Sequence, residues 1–483
     1  MTLRRPPAPL LYLLAATLLI GLVWALVVPP FQAPDEPAHV AYVQSIAERG
    51  ALPGAVGRPS VSTEQLDGAE AANSDQTAAI RATKPTWGAG AYERWRRHEA
   101  GLPASARSDG GGPNFASSNP PLYYVWSVVP YWLASGGDLF ARVSAMRVGS
   151  VVFLLVTVAA TWLLTGTVLG PRRDLQLAAA AVPALLPMVD FISASVSPDS
   201  LLYALWTVGL WLGARVLRGR GGPVDVIALI AVAGMAIATK ATSYALTVPV
   251  AFVLGVELWR LRRRRRLVLA LTAGALAAIV LTAGAWFVVA GSSDRPAAAQ
   301  LTDAIDVPAG GSVSGLVSYS WQFYLPRLPF QQAFANNKWP PPVWDLWITH
   351  SWGAFGWLEV QWPQPVYWLL ALVATGVALA ALRALIRSRA RIDRTLLAFF
   401  VIAALALLAG LHWNEYKLAT EQGVLINQGR YLFPLIGLAG LATATALLPL
   451  AARARATALG LLVGGLAVLD LFAIALVATR FYV

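Results

Sequence analysis

Residues 10–28 read LLYLLAATLLIGLVWALVV, and residues 29–39 continue PPFQAPDEPAH. The first part is a nearly unbroken apolar run of about 19 residues, enough at ~1.5 Å per residue to cross a hydrocarbon layer of ~30 Å. The second part places two adjacent carboxylates, Asp35 and Glu36, and the imidazole of His39 just beyond the end of that span, at a membrane surface. Pro37 is tolerated in a first helical turn, so a helix is predicted to begin at Asp35 or Glu36, with Asp35 able to cap the free backbone N–H groups. On such a helix Asp35 and His39 share a face, whereas Glu36 points elsewhere. The plainer reading is an ordinary N-cap on an interfacial helix.

The rest of the chain agrees with a membrane reading. Of 483 residues 57% are hydrophobic and only 13% charged, which points to a polytopic membrane protein. With no cysteine, no disulfide braces the external loops and thiol redox chemistry is excluded. Arg4 and Arg5 precede the first run as in a signal peptide, yet no small-x-small cleavage pattern follows. A retained anchor with a cytoplasmic N-terminus is therefore expected.

Apolar runs recur at Leu10–Val28, Ala145–Leu169, Leu175–Ile192, Leu201–Leu217, Val224–Ala238, Tyr244–Leu258, Leu267–Ala290, Val366–Leu385, Leu396–Leu411, Leu432–Leu450 and Ala456–Ala478. These predict an all-α fold of about eleven transmembrane helices, or nine if the two short runs within 224–258 form a re-entrant pair. Strict alternation puts twenty arginines on the inner side (Arg4, Arg5, Arg172, Arg173, Arg215, Arg218, Arg220, Arg260, Arg262 to Arg266, Arg383, Arg387, Arg389, Arg391, Arg394, Arg453 and Arg455) against four acids, Asp174, Asp225, Glu257 and Asp393. That asymmetry is what the positive-inside rule requires. The formal charge of +12 is thus topological, and nucleic acid is dropped as a partner. The chain reads as one integral domain of the cytoplasmic membrane with its C-terminus outside.

Three extracytoplasmic segments remain: 31–119, 291–365 and 412–431. The first is too long and polar for a connector; within it Val40–Ile46 reads as an interfacial amphipathic helix and Ser105–Pro113 as flexible. After it, Asn119 opens an aromatic run to Leu133 that is too short to span, and its Trp126, Tyr131 and Trp132 suit the headgroup layer. All four histidines (His39, His98, His350, His412) and all four lysines (Lys84, Lys240, Lys338, Lys417) fall in outward loops or at span ends, as do Asp199 and Arg430. External loops are also simply where polar residues can live.

An acid pair at the interface with cations just inside it suits a lipid-linked phosphate, whose headgroup lies at that depth. Lys240 and Arg430 could neutralise the phosphate. Asp35 could take the proton from an attacking hydroxyl as the phosphate departs, an inverting glycosyl transfer. Glu36 and His39 complete the candidate catalytic set, and Asp35 with Glu36 could hold a divalent cation. Asp199 and the rings of Tyr123, Tyr124, Trp321, Tyr324 and Tyr431 are candidate substrate contacts.

The ordered motifs PPFQxPDEPxH at 29–39, NPPLYY at 119–124, SPDS at 197–200, WQFYL at 321–325, WGxFGW at 352–357 and GRYLFP at 429–434 resemble domain-of-unknown-function family 2142 over nearly the whole chain. That family in turn resembles the C-type (GT-C) glycosyltransferases, polytopic enzymes that use polyprenyl-phosphate sugars and carry an acidic motif in the first external loop. The resemblance implies Asp35 as the base, Glu36 as the second acid and Arg430 as a cation near the donor phosphate. It implies a polyprenyl-phosphate-linked sugar donor, a cell-envelope glycan or lipid acceptor, and a site on the extracytoplasmic face among membrane lipids. The large C-terminal periplasmic domain of some members has no counterpart in these residues, so the acceptor stays open. A transporter or flippase for a lipid-linked substrate is the alternative, suggested by Asp470 within the last span and by the short pair around Lys240; a silent scaffold is a third.

The topology is open to a direct check, because the native chain offers no cysteine background. In Ser108→Cys the new thiol should react with an impermeant maleimide in intact cells, and in Arg264→Cys only after the cells are opened. The opposite pattern would invert every loop assignment above.

Overall fold

The computed structural model describes residues 6–53, 61–74, 86–110, 114–260, 273–274, 307–308, 310–334, 340–387, 393–423, 425 and 427–483. Ten of the eleven predicted runs fall on helices; the eleventh, Leu267–Ala290, lies outside the described residues apart from 273–274. Among the described residues, eight segments are long and apolar enough to cross a membrane: Ala8–Val27 (α1), Leu139–Leu169, Pro198–Leu217, Ala241–Arg260, Gln364–Arg387, Arg394–Gln422, Gly429–Leu447 and Ala452–Tyr482. A ninth is formed if Arg173–Leu185 and Pro187–Ser193, bent by 59° at their junction, count as one span. The break therefore falls at a different place from the pair expected around Lys240. Pro187 lacks an N–H and its ring crowds the preceding turn, so the helix stops at Leu185 and restarts in a new direction. In the expected pair, Ala241–Arg260 is long enough to span alone, whereas Pro223–Ile237 has only 15 residues.

Pro198–Leu217 is the central helix, buried over most of its length and packed on Leu139–Leu169, Pro223–Ile237 and Tyr244–Arg260. Its 20 residues set two ends of the bundle about 30 Å apart. At one end the arginine-rich termini meet. Arg218 and Arg220 donate to the carbonyls of Val168 and Thr167 at 2.6 and 3.4 Å, Arg215 pairs with Asp225 at 2.7 Å, and Arg455 pairs with Asp174 at 2.5 Å. The residues singled out for chemistry lie at the other end.

The described residues of the first external segment are built rather than loose. Glu36–Arg49 (α2) is a helix, but not an interfacial one: from Ala38 to Ser45 every residue is buried. Amides from the rest of the segment cover its first turn, with Gln65 donating to the Pro37 carbonyl and Asn114 to that of Ala38, both at 3.0 Å. Thr63–Ala71 (α3) packs beside it, Ala89–Glu99 (α4) packs on α3, and Leu122–Leu133 (α5) lies against α2. Ser105 lies in the short turn Ala104–Arg107, while residues 111–113 of the stretch expected to be flexible lie outside the described residues. Farther along, the helix Arg394–Gln422 runs on through His412, so the third external segment begins later than its apolar pattern suggested. A two-stranded hairpin pairs Ala354–Phe355 (β1) with Val360–Gln361 (β2), Phe355 opposite Val360.

Close helix contacts hold the bundle together. At Gly440, in the helix Ile436–Leu447, a Cβ would overlap the Ala179 carbonyl, whereas nothing lies within 4 Å of Gly460 in the last helix. Gly440→Ala should cost about 1–3 kcal/mol through overpacking, while Gly460→Ala should be neutral or gain up to about 1 kcal/mol from helix propensity. Melting temperatures in detergent will separate the two, and equal behaviour would refute the packing.

Candidate functional site

The turn after α1 is made by two residues in the left-handed region, Phe31 at φ 63° and Asp35 at φ 64°. Neither is glycine, so each costs about 1 kcal/mol unless the surroundings hold it. Asp35 stands at the N-cap position of α2, but its side chain caps nothing. Pro37 explains part of this: it removes one of the two N–H donors, at N2 and N3, that an N-cap carboxylate accepts from. The Asp35 carboxylate turns outward instead and accepts a hydrogen bond from Nη2 of Arg430, 395 residues along the chain.

Arg430 is buried, 2% exposed. Its backbone is set by Gly429, where a Cβ would collide with the Ser351 N–H, and by Tyr203, which donates to the Arg430 carbonyl at 3.1 Å. Nε of Arg430 lies 3.8 Å from Oδ2 of Asp199, too far for a hydrogen bond. The other Asp199 oxygen takes the ammonium of Lys240 at 2.5 Å. Lys240 and Arg430 both lie over the Tyr431 ring, 4.9 and 5.3 Å from its centroid. The SPDS stretch places Asp199 through local structure: Ser197 caps the helix, Pro198 opens it, and Asp199 sits in its first turn. Two carboxylates and two cations thus alternate as Asp35, Arg430, Asp199 and Lys240. Only Asp35 and Lys240 have side chains with appreciable access to solvent, at 31% and 18%.

His39 closes one side of this cluster. Its Nδ1 lies 2.9 Å from the Tyr124 hydroxyl, which also accepts from Asn119 at 3.0 Å. With Asn119 donating to that oxygen, the Tyr124 proton is free to go to Nδ1, an arrangement that leaves the proton of the neutral ring on Nε2. Burial pulls His39 down to about 4, Asp35 opposing and Lys240 assisting. Burial alone would raise the Asp35 carboxyl, but Arg430, His39 and Lys240 outweigh it and hold the group below its ordinary value.

Of the predicted site residues, Asp35, His39, Asp199, Lys240, Arg430 and Tyr431 are brought together. Glu36 is not: its carboxylate is fully buried and faces Arg147 at 2.7 and 2.5 Å. The two adjacent acids therefore do not form a shared ligand set, and among the described residues no group of three or more His, Asp or Glu converges as a metal site. Tyr123 and Tyr124 are wholly buried and act as buttresses. The Tyr123 hydroxyl accepts from the Ser197 N–H and bonds Ser150 Oγ, both at 2.8 Å, while Tyr124 stacks on Tyr42 at 3.7 Å. Trp321 and Tyr324 belong to a different cluster: Trp321 donates to the Pro326 carbonyl at 2.9 Å, and the Tyr324 hydroxyl lies 2.7 Å from Nε2 of His412.

Residues the sequence reading overlooked are Arg147, Tyr203, Asn119 and Tyr42. Arg147 had a usable signal, a cation near the outward end of an apolar run where the positive-inside rule disfavours it. The other three had none beyond belonging to the motifs or spans already marked.

A family described as predicted membrane protein (DUF2142) matches residues 18–439, and the chain belongs to that family. Its fold is similar to that of the Archaeoglobus fulgidus oligosaccharyltransferase in the apo form, with a TM-score of 0.51 and 11% identity over 97% of this chain. The chain spans only 56% of that protein. Lower similarity links it to ArnT from Cupriavidus metallidurans: bound to undecaprenyl phosphate (TM-score 0.48, 16% identity, 98% of this chain and 75% of that one) and in the apo state (0.44, 16%, 92% and 75%). The likeness to the oligosaccharyltransferase is one of fold, and the many-helix membrane fold that the motifs implied is the one observed. No curated protein sequence matches.

The depressed His39 fixes a pH dependence. Between pH 6.5 and about 4 the unfolded chain binds a proton there and the folded chain does not, so stability falls as pH drops through that window. From pH 6.5 to 5 the loss is about 2 kcal/mol. Melting of the detergent-solubilised protein should show this decline, and His39→Gln should flatten it. Parallel curves for the two proteins would rule the assignment out.

Proposed function

We propose that this chain is a membrane-embedded glycosyltransferase that moves a sugar from a polyprenyl-phosphate carrier to a cell-envelope acceptor at the extracytoplasmic face. The observation that carries the reading is the meeting of Asp35 with Arg430, Asp199 and Lys240 at the end of the bundle opposite the arginine-rich termini. The Lys240 ammonium is partly exposed, and Arg430 keeps Nε free of any hydrogen bond among the described residues. A phosphate entering beside Asp35 finds both cations within one cluster, with the Tyr431 ring between them.

In the transfer itself, the acceptor hydroxyl oxygen attacks the anomeric carbon and its proton passes to Asp35. The bond from that carbon to the phosphate oxygen breaks, and the phosphate leaves with the electron pair, neutralised by Arg430 and Lys240. A single displacement inverts the anomeric centre. Before the donor arrives, Asp35 is a poor base, because Arg430 holds its charge. Once the phosphate competes for that guanidinium, the carboxylate is released and its basicity rises, so the donor arms the base used on the acceptor.

One feature favours the transporter alternative: Asp190, in the bent span, and Asp470, in the last helix, are acids buried within the bundle. Among the described residues neither forms an ion pair with the four-charge cluster, and Asp470 already accepts from Trp24 at 2.9 Å.

The test uses membranes containing the full chain, in which endogenous carriers are charged with radiolabelled sugar. Asp35→Asn should lower movement of label from lipid to glycan by about 10²–10⁴-fold. Arg430→Lys, which keeps the charge but loses the planar fork, should lower it by about tenfold or more. Undiminished transfer in Asp35→Asn rejects the base assignment. Label that crosses the bilayer while still attached to lipid indicates transport instead.

A further inference from the structure

Arg147 lies near the start of the helix Leu139–Leu169 with all five guanidinium donors in use. Nε and Nη2 grip the two oxygens of Glu36 at 2.7 and 2.5 Å; Nη1 reaches the carbonyls of Val28 at 2.5 Å and Ala25 at 3.3 Å; Nη2 also reaches that of Pro29 at 2.9 Å. The guanidinium therefore seals the end of α1, whose last carbonyls have no partner within the helix. Glu36 is equally committed. Besides Arg147 it accepts the Phe31 N–H at 3.0 Å and the Val196 N–H at 3.1 Å.

Those two N–H groups matter because of what adjoins them. Phe31 and Asp35 are the left-handed residues at either end of the turn, and Glu36 follows Asp35 directly. Val196 precedes Ser197, the cap that places Asp199, by one residue. A single carboxylate thus ties together the two backbone segments that carry the two acids of the site. The pair is bidentate and buried, 0% and 2% exposed, so it tolerates little play.

We infer that Glu36 and Arg147 are positioning residues that set Asp35 and Asp199 in register across the site, although neither touches the substrate. The inference rests on the transferase reading given above. Misplacement of a reacting group by about 1 Å costs roughly 100-fold in rate, so loosening this clamp should lower turnover while leaving the cations that bind phosphate in place.

Arg147→Lys replaces the five-donor fork with three donors on one atom. Transfer at saturating donor should fall about 100-fold. Half-saturation of thermal stabilisation by farnesyl phosphate, a probe of the phosphate seat, should change no more than about threefold. Removing one partner of a buried ion pair can prevent folding, so the double variant Glu36→Gln with Arg147→Gln is the second arm. It leaves no uncompensated charge, so it should fold, yet it should remain as slow as Arg147→Lys. Wild-type turnover in either folded variant overturns the inference. So does a rate that falls only in step with farnesyl phosphate binding, since the pair would then merely shape the donor seat. Asp35→Asn, run in parallel, separates this failure from that of the underlying reading: if it still transfers sugar, the base assignment itself is lost.

Discussion

A guanidinium that is 2% exposed at the head of an apolar bundle cannot stand unpaired, and the arrangement of the site follows from that constraint at Arg430. Desolvating the charge costs several kcal/mol, which an opposing carboxylate offsets only at close range. Asp35 supplies that carboxylate from the first external segment and Asp199 a second from the first turn of the helix Pro198–Leu217. Asp199 in turn is balanced by Lys240 from the junction of two further helices. Four segments far apart in sequence are thereby drawn to one point. The cluster is neutral as a whole, and an incoming anion must displace a carboxylate rather than fill an open positive pocket.

The bundle was legible because membrane spans declare themselves by length and composition, and the arginine asymmetry gave its two ends. What composition could not give was direction within a span. The bend at Pro187 was hidden inside a continuous apolar run, and the polar residues His412 to Gln422 hid the continuation of a helix that packing against Val313–Tyr324 supports. The candidate site was legible through charge. Asp35, Asp199, Lys240 and Arg430 stood out as ionisable groups at span ends, where burying them carries a cost. The aromatic residues were read less well, because a tyrosine in a headgroup belt and a tyrosine buried under a helix look alike in one sequence. Tyr123 and Tyr124 proved to be walls, and Trp321 and Tyr324 belong elsewhere.

Glu36 shows the limit most clearly. Beside Asp35 it reads as the second half of an acid pair, although α-helical geometry separates their faces. The sequence did not disclose that the joint between them is left-handed, which turns Asp35 toward the solvent edge and Glu36 into the bundle.

The helix Leu139–Leu169 explains how the described parts of the first external segment are held in place. Two buried arginines five positions apart lie near its start and hold different parts of that segment. Arg147 takes Glu36, at the turn that follows α1. Arg142 takes Glu64 at 2.7 Å and Glu99 at 2.9 Å, one from α3 and one from α4, and donates to the Tyr131 hydroxyl of α5 at 2.6 Å. Glu64 and Glu99 crowd the same guanidinium: burial, with Glu64 beside it, pushes Glu99 up to about 7. Both arginines are buried against acids of that segment. The helix end thus acts as a two-point mount on which the segment is assembled, and the strained turn carrying Asp35 is held at the inner of the two points. Order in the loop and order in the site have the same origin.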